Sequence, residues 1–228
     1  MIKRYANESQ VTVVSVGYRL SPEHPYPAAF HDCCDAAEYL VDHGEEKFGA
    51  PLVAIGGGSS GAHLTVLAAF NLIRTRPSHR LAGLFLNYGV YELAAGLPSL
   101  TTKMKQLGAS KEPLLDYTRI FVPGATEEEK RDPLISPIYD DMRGLARASP
   151  GGTLPPALFI CGSEDYLIDD TVLMGAKWLA TGSPAEIKII PGAWHAFDLV
   201  PGLKETDDTF AHIASFLTRN MESLKAVN

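Results

Sequence analysis

Five short apolar runs set the limits on how this chain can fold: VTVVSV (11–16), LVAIG (52–56), LAGLFLNY (81–88), ALFICG (157–162) and EIKII (186–190). Runs of this length and aliphatic content read as strands buried on both faces. Helical patterns lie between or after most of them. Over residues 27–43, Phe30, Cys33, Ala37, Leu40 and Val41 recur at helical spacing, with Pro27 suited to the first turn. Residues 62–74 are apolar nearly all round, which predicts a deeply buried helix. Residues 170–181 follow Asp169 as a candidate N-cap and stop at Gly182, and 207–221 carry the stripe Phe210, Ile213, Ala214, Leu217, Met221. Strands alternating with helices predict an α/β fold with a mainly parallel sheet covered on both faces. At 228 residues the chain supports one core and one domain.

Composition narrows the class. The net charge is −7 with both signs mixed along the chain, which argues against a nucleic-acid footprint of clustered Lys and Arg. No apolar run approaches the roughly 18 residues of a membrane span. The start, MIKRYANESQ, lacks the apolar stretch of a signal peptide. Cys33, Cys34 and Cys161 read as reduced core thiols, and the expected location is cytoplasmic.

Residues 94–156 break the alternation. The segment is too long for a plain loop and carries Pro98, Pro113, Pro123, Pro133, Pro137, Pro155 and Pro156 with short helical pieces. TEEE at 126–129 has capping-box spacing. The expected organisation is one domain, with a core of 1–93 and 157–228 and a helical lid inserted at about 94–156.

The stretch VAIGGGSSGAHLTVLAAF (53–70) reads as strand, glycine-rich turn and helix, and two chemistries use that arrangement. Gly56, Gly58 and Gly61 have the spacing of a dinucleotide-binding turn. Gly57, Ser59 and Gly61 have the spacing of a nucleophile elbow. The first reading asks for an Asp or Glu about 20 residues on, yet no acidic residue occurs between Gly61 and Glu92. Arg80 stands where a 2′-phosphate partner could, so that reading is weakened and not removed. A P-loop fails outright, because Ala62 and His63 stand where Lys and Ser or Thr are required.

The hydrolase reading requires a base to activate the hydroxyl and a carboxylate to orient the base. Asp165 follows the apolar run at 157–162, and His195 follows the run at 186–190. Ser59, Asp165 and His195 therefore fall just past three predicted strand ends, where open α/β sheets build their sites. Their chain order is that of α/β-hydrolases. Gly57 and Gly61 fit a turn that brings strand and helix backbones together. The helix beginning near Ser60 aims its free N–H groups at a reacting carbonyl. The bland readings are a turn serine, a turn-closing Asp165 with Glu164, Asp169 and Asp170 as rival acids, and a loop histidine. Asp169 and Asp170 look like caps of the next helix, and His63 like a packing residue.

With these residues in view, the chain resembles the hormone-sensitive-lipase-like group of α/β-hydrolases, the fold-3 carboxylesterases. YRLSPEHPYPAAF (18–30) is close to that group's Y-R-L-A-P-E-H-P-F-P-A-A block, and GGGSSGAHL (56–64) stands where the group has G-D-S-A-G-G-N-L. DPLISPI (132–138), LPPALFICGSEDYLIDD (154–170) and GAWHAF (192–197) match in type, order and spacing. The resemblance implies Ser59 as nucleophile, Asp165 as acid, His195 as base and the Ser60 backbone N–H as an oxyanion donor. It implies a small-molecule ester as substrate and no metal or organic cofactor.

Two departures shape the expectations. Gly58 replaces the acidic residue that usually precedes the group's serine, which should loosen the turn. The group's H-G-G-G loop has no counterpart before Tyr18, so the chain reads as N-terminally truncated relative to the group. One assigned oxyanion donor then remains, and loss of one such donor costs about 10²–10³ in turnover. The strand at 11–16 is expected either to pair with 52–56 or to leave backbone groups unsatisfied, at roughly 1–3 kcal/mol each. The leading expectation is a serine carboxylesterase for short- or medium-chain esters, weakened by the missing loop. A hydrolase-like binder without turnover is the alternative, and a dinucleotide-binding protein a weaker one.

Overall fold

The structure is a computed structural model, and it describes residues 1–94, 96–100, 102 and 112–227. Its frame is a four-stranded, all-parallel sheet in the order β1 (Ala54–Gly58), β2 (Gly83–Asn87), β3 (Ala157–Gly162), β4 (Ala185–Ile190). Four of the five apolar runs supply these strands. The first run does not: residues 11–20 are irregular, Val14 and Val16 are exposed, and β1 pairs only with β2. Of the two outcomes expected for 11–16, the pairing with 52–56 is the one the fold does not form. β-branched residues favour a strand only where a neighbouring ladder completes it, and this segment has no such ladder among the described residues.

The helices are α1 (Ile2–Ser9), α2 (Ala28–Phe48), α3 (Ser60–Thr75), α4 (Glu112–Phe121), α5 (Met142–Ala148), α6 (Ile168–Ala180) and α7 (Lys204–Val227). α2 runs seven residues beyond Val41, the last residue of its apolar stripe, and stops at Gly49, whose φ of 74° allows the left-handed cap. α6 begins at Ile168 with Leu167 before it and no side-chain cap. Asp169 and Asp170 thus lie inside its first turn and do not cap it, contrary to the sequence expectation. Their carboxylates reach across to another segment, described below.

Alternation along the strands divides the core. Leu84, Leu86, Ala157 and Phe159 join Val66, Phe70, Met174 and Trp178 in one apolar cluster, which takes in α2, α3, α5 and α6. Leu158, Ile160, Ile213, Phe216 and Leu217 form the other, beneath α7, with Tyr5 of α1 and Phe85 packed against it. Trp178 anchors the first layer. It is fully buried, stacks on Phe70 at 5.7 Å, meets Phe159 edge-on at 5.8 Å and donates from Nε1 to the Pro155 carbonyl at 3.0 Å.

The segment after β2 is not uniform. Ile138, Met142, Leu145, Ala146 and Leu154 belong to the same cluster as Phe70 and Trp178. Thr126 and Glu129 form a reciprocal capping box, Glu129 Oε2 accepting from the Thr126 N–H at 2.8 Å and Thr126 Oγ accepting from the Glu129 N–H at 3.2 Å. Phe121, at the end of α4, packs edge-on against Tyr26 and His63, and its carbonyl accepts from the Tyr26 N–H.

Candidate active site

The turn between β1 and α3 presents Ser59 with φ 56° and ψ −121°, a conformation that L residues rarely adopt. Its N–H donates to the Asn87 carbonyl at 2.9 Å, which ties the turn to the end of β2. The close approach of β1 and α3 explains Gly57. A Cβ there would lie 2.6 Å from the Gly61 carbonyl carbon and 2.7 Å from its oxygen. At Gly61 a Cβ would meet nothing within 4 Å, so the steric demand falls on Gly57 alone. Gly56 faces the Phe85 ring and Gly58 the Tyr88 ring, each closer than a Cβ tolerates. Two of the three glycines that spell the dinucleotide spacing, Gly56 and Gly58, are thus explained by packing. Tyr88 fills the space beside Gly58, where the acidic side chain of the resembled group would stand.

Ser59, Asp165 and His195 come together at the carboxyl ends of β1, β3 and β4. His195 Nε2 lies 3.1 Å from Ser59 Oγ, and its Nδ1 lies 3.0 and 3.1 Å from the two carboxylate oxygens of Asp165. Asp165 is wholly buried, and Oδ1 also accepts from the Leu167 N–H at 2.8 Å. The rival acids go elsewhere. Glu164 accepts from Ser163 Oγ. Asp169 accepts from the N–H and hydroxyl of Ser99, both at 2.7 Å. Asp170 accepts from the Tyr91 and Glu92 N–H groups at 2.6 and 2.9 Å. Burial pushes the Asp170 carboxyl up to about 7, against the lowering effect of those two donors.

Ser60 opens α3 beside Ser59, and the Tyr18 hydroxyl lies 3.4 Å from Ser60 Oγ, which brings the YRL block to the elbow. His63, one turn into α3, is buried and meets the Ile135 carbonyl at 2.8 Å, and burial lowers its imidazole to about 4. It is a packing residue, as its place on the helix suggests. The three cysteines are free thiols, and burial raises Cys34 to about 12. Among the described residues no cluster of His, Cys, Asp or Glu has the makings of a metal site, and no helix is long and apolar enough to cross a membrane.

Sequence reasoning missed the aromatic setting of His195. The Tyr166 ring stacks on the imidazole at 4.7 Å, and the Tyr88 ring meets it edge-on at 4.9 Å. Behind Tyr88, its hydroxyl and the Asn87 side-chain amide both donate to the buried carboxylate of Asp198. Only the YLIDD and HAFD contexts of Tyr166 and Asp198 hinted at them, as near neighbours of Asp165 and His195.

A parallel sheet with a strained serine turn on β1, an acid after β3 and a histidine after β4 defines an α/β-hydrolase arrangement. The family model described as "alpha/beta hydrolase fold" matches residues 1–199, and the chain belongs to that family. An esterase of Acinetobacter venetianus is 29% identical over 220 residues, covering 93% of this chain and 66% of that protein. The hyperthermophilic esterase of the archaeon Pyrobaculum calidifontis superposes with a TM-score of 0.83 at 28% identity, over 95% of this chain and 67% of that one. An esterase from the bacterial hormone-sensitive lipase family gives 0.80 at 27%, over 95% and 68%. The chain thus spans about two thirds of the length of each of these relatives.

Proposed function

We propose that this protein is a serine hydrolase of the carboxylesterase type, acting on short- to medium-chain esters of small molecules. The observation that carries the reading is the continuous contact from Ser59 Oγ through His195 Nε2 and Nδ1 to Asp165, each step at 3.0–3.1 Å. The similarity to esterases supports it. In this mechanism His195 takes the Ser59 proton as Oγ attacks the ester carbonyl, and returns it to the departing alkoxide. The acyl group stays on Ser59 until His195 activates a water that releases the acid. Asp165 keeps the proton on Nδ1 and stabilises the imidazolium. The Ser60 N–H, at the positive end of α3, donates to the oxyanion. No cofactor takes part.

Within the 94–156 insertion, of which residues 95, 101 and 103–111 lie outside the described residues, α4 and the capping box serve as a lid beside Ser59, while the part from Ile135 onward completes the core. Phe121 of α4 against His63, one turn beyond Ser59, supports that division. The test is labelling with a fluorophosphonate, together with hydrolysis of p-nitrophenyl butyrate. Labelling and turnover should both vanish in Ser59→Ala. A wild-type chain that neither labels nor turns over would refute the esterase reading and favour a binder without turnover.

A further inference from the structure

The triad accounts for two edges of His195 but not for what fixes its ring plane. Asp165 and Ser59 meet the two nitrogens, and contacts in the ring plane leave the imidazole free to tilt about the line that joins them. Two tyrosines close off that freedom. Tyr166 lies at 29° to the imidazole plane and Tyr88 at 67°, with centroids 4.7 and 4.9 Å away. These are the offset-stacked and edge-to-face arrangements that aromatic pairs favour.

Tyr88 is itself pinned. Its φ is 39°, unusual for a bulky residue, and its N–H donates to the Ile160 carbonyl at 2.6 Å. Its hydroxyl donates to Asp198, which is 4% exposed and also accepts from Asn87 Nδ2 at 2.9 Å. The ring lies where a side chain at position 58 would go: a Cβ on Gly58 would sit 2.9 Å from the Tyr88 hydroxyl. Three features therefore converge on one ring: a strained backbone, a buried carboxylate and a glycine that leaves room. Burial and the charge of Asp198 keep the Tyr88 phenol protonated, and burial with the charge of Asp165 raises Tyr166 to about 12, so both rings stay neutral.

We propose that Tyr88 and Tyr166 are positioning residues for His195, with Asp198 locking Tyr88 and Gly58 giving it room. This rests on the reading of Ser59, Asp165 and His195 as a triad. Asp165, Asp198, Tyr88 and Tyr166 are titratable groups around the imidazole, with Tyr5 beyond Asp198, Cys161 beside Asp165 and Tyr117 facing Tyr166. The rings touch the base, so they act on the chemical step more than on binding.

The test compares Tyr166→Phe, Tyr166→Leu and Tyr88→Phe with the wild type. Among the described residues Tyr166 makes no side-chain hydrogen bond, so its variants should fold, as circular dichroism would verify. Tilting the base by a fraction of an ångström is expected to lower kcat about tenfold, since a 1 Å misplacement costs about 10². In Tyr166→Leu, kcat should fall by that factor with KM within twofold, while Tyr166→Phe restores it. The deshielded proton between His195 Nδ1 and Asp165, followed by proton NMR, should broaden or vanish in Tyr166→Leu and in Tyr88→Phe, and persist in Tyr166→Phe. Wild-type kcat with an unchanged proton signal in Tyr166→Leu would overturn the proposal. A wild-type chain without turnover would instead remove the esterase reading, and the proton signals alone would then decide whether the clamp exists.

Discussion

Gly57 and Gly61 look equivalent in the elbow motif, and the structure separates them. An alanine methyl at 57 would sit 2.6 Å from the Gly61 carbonyl carbon, where ordinary contact begins at 3.4 Å. Both partners are backbone, so no rotamer relieves the overlap, and α3 must move from β1 by about 0.8 Å. The helix that must move carries Ala62, Val66, Ala69 and Phe70, all wholly buried. Overpacking of this kind costs about 1–3 kcal/mol, and the rigid surroundings place Gly57→Ala near the upper end. For a chain of this size that is a fall in Tm of roughly 6–12 °C. A shift of that size at Ser59 also opens the 3.1 Å contact with His195, which should lower kcat by somewhat under 10². Gly61→Ala meets nothing and loses unfolded-state freedom, for a gain of about 0.4–1 kcal/mol. Thermal melts and urea titrations of the two single variants, with ester hydrolysis alongside, measure all of this. Equal destabilisation by the two substitutions would refute the argument, since it would mean the motif, and not the β1–α3 contact, fixes both glycines.

Asp170 titrates upward on folding, from an ordinary 3.8 to about 7. Its contribution is therefore fully present below pH 3.8 and lost as pH rises through 7, by up to about 4 kcal/mol. Asp170→Asn keeps an acceptor for Tyr91 and Glu92, and urea titrations should show it gaining on wild type between pH 5 and 8. Trp178→Ala removes the anchor shared by Phe70 and Phe159 and should cost about 3–5 kcal/mol by denaturant unfolding. Asp165→Asn puts an amide against Nδ1 and favours the wrong tautomer, so kcat should fall by roughly 10³–10⁴ with KM little changed.

Much of the fold and of the candidate site was legible because each depends on local pattern. The runs at 81–88, 157–162 and 186–190 carry their strands within two residues, and 52–56 marks β1 two residues early, because the glycines 57 and 58 hide its end. The triad candidates stood out because each follows a strand. The run at 11–16 misled because β-propensity says nothing about whether a partner strand is present. Asp169 and Asp170 misled for a related reason. Both sit at the start of a helix, but their partners Tyr91, Glu92 and Ser99 are 70 to 79 residues away. The Tyr88–Asp198 bond spans 110 residues and has no motif at either end.

Those long-range links show how one short stretch organises the site. Asp165, Asp169 and Asp170 fall within six residues at the start of α6, and each carboxylate has a different destination. Asp165 turns to His195, Asp169 to Ser99 and Asp170 to Tyr91 and Glu92. The same turn therefore fixes the histidine and the chain that leaves β2 toward the segment following it. Around it, Ser59 and Tyr88 hold positive φ at the ends of β1 and β2 and Ala196 in the turn after β4, and Gln10 is the one other non-glycine that does so among the described residues. Backbone in these regions costs about 1–3 kcal/mol per residue and persists only where its surroundings enforce it. The enforcing surroundings are here the two buried layers on either side of the sheet. Substitutions that loosen those layers, such as Trp178→Ala, should therefore release the elbow and the histidine turn before the sheet itself comes apart.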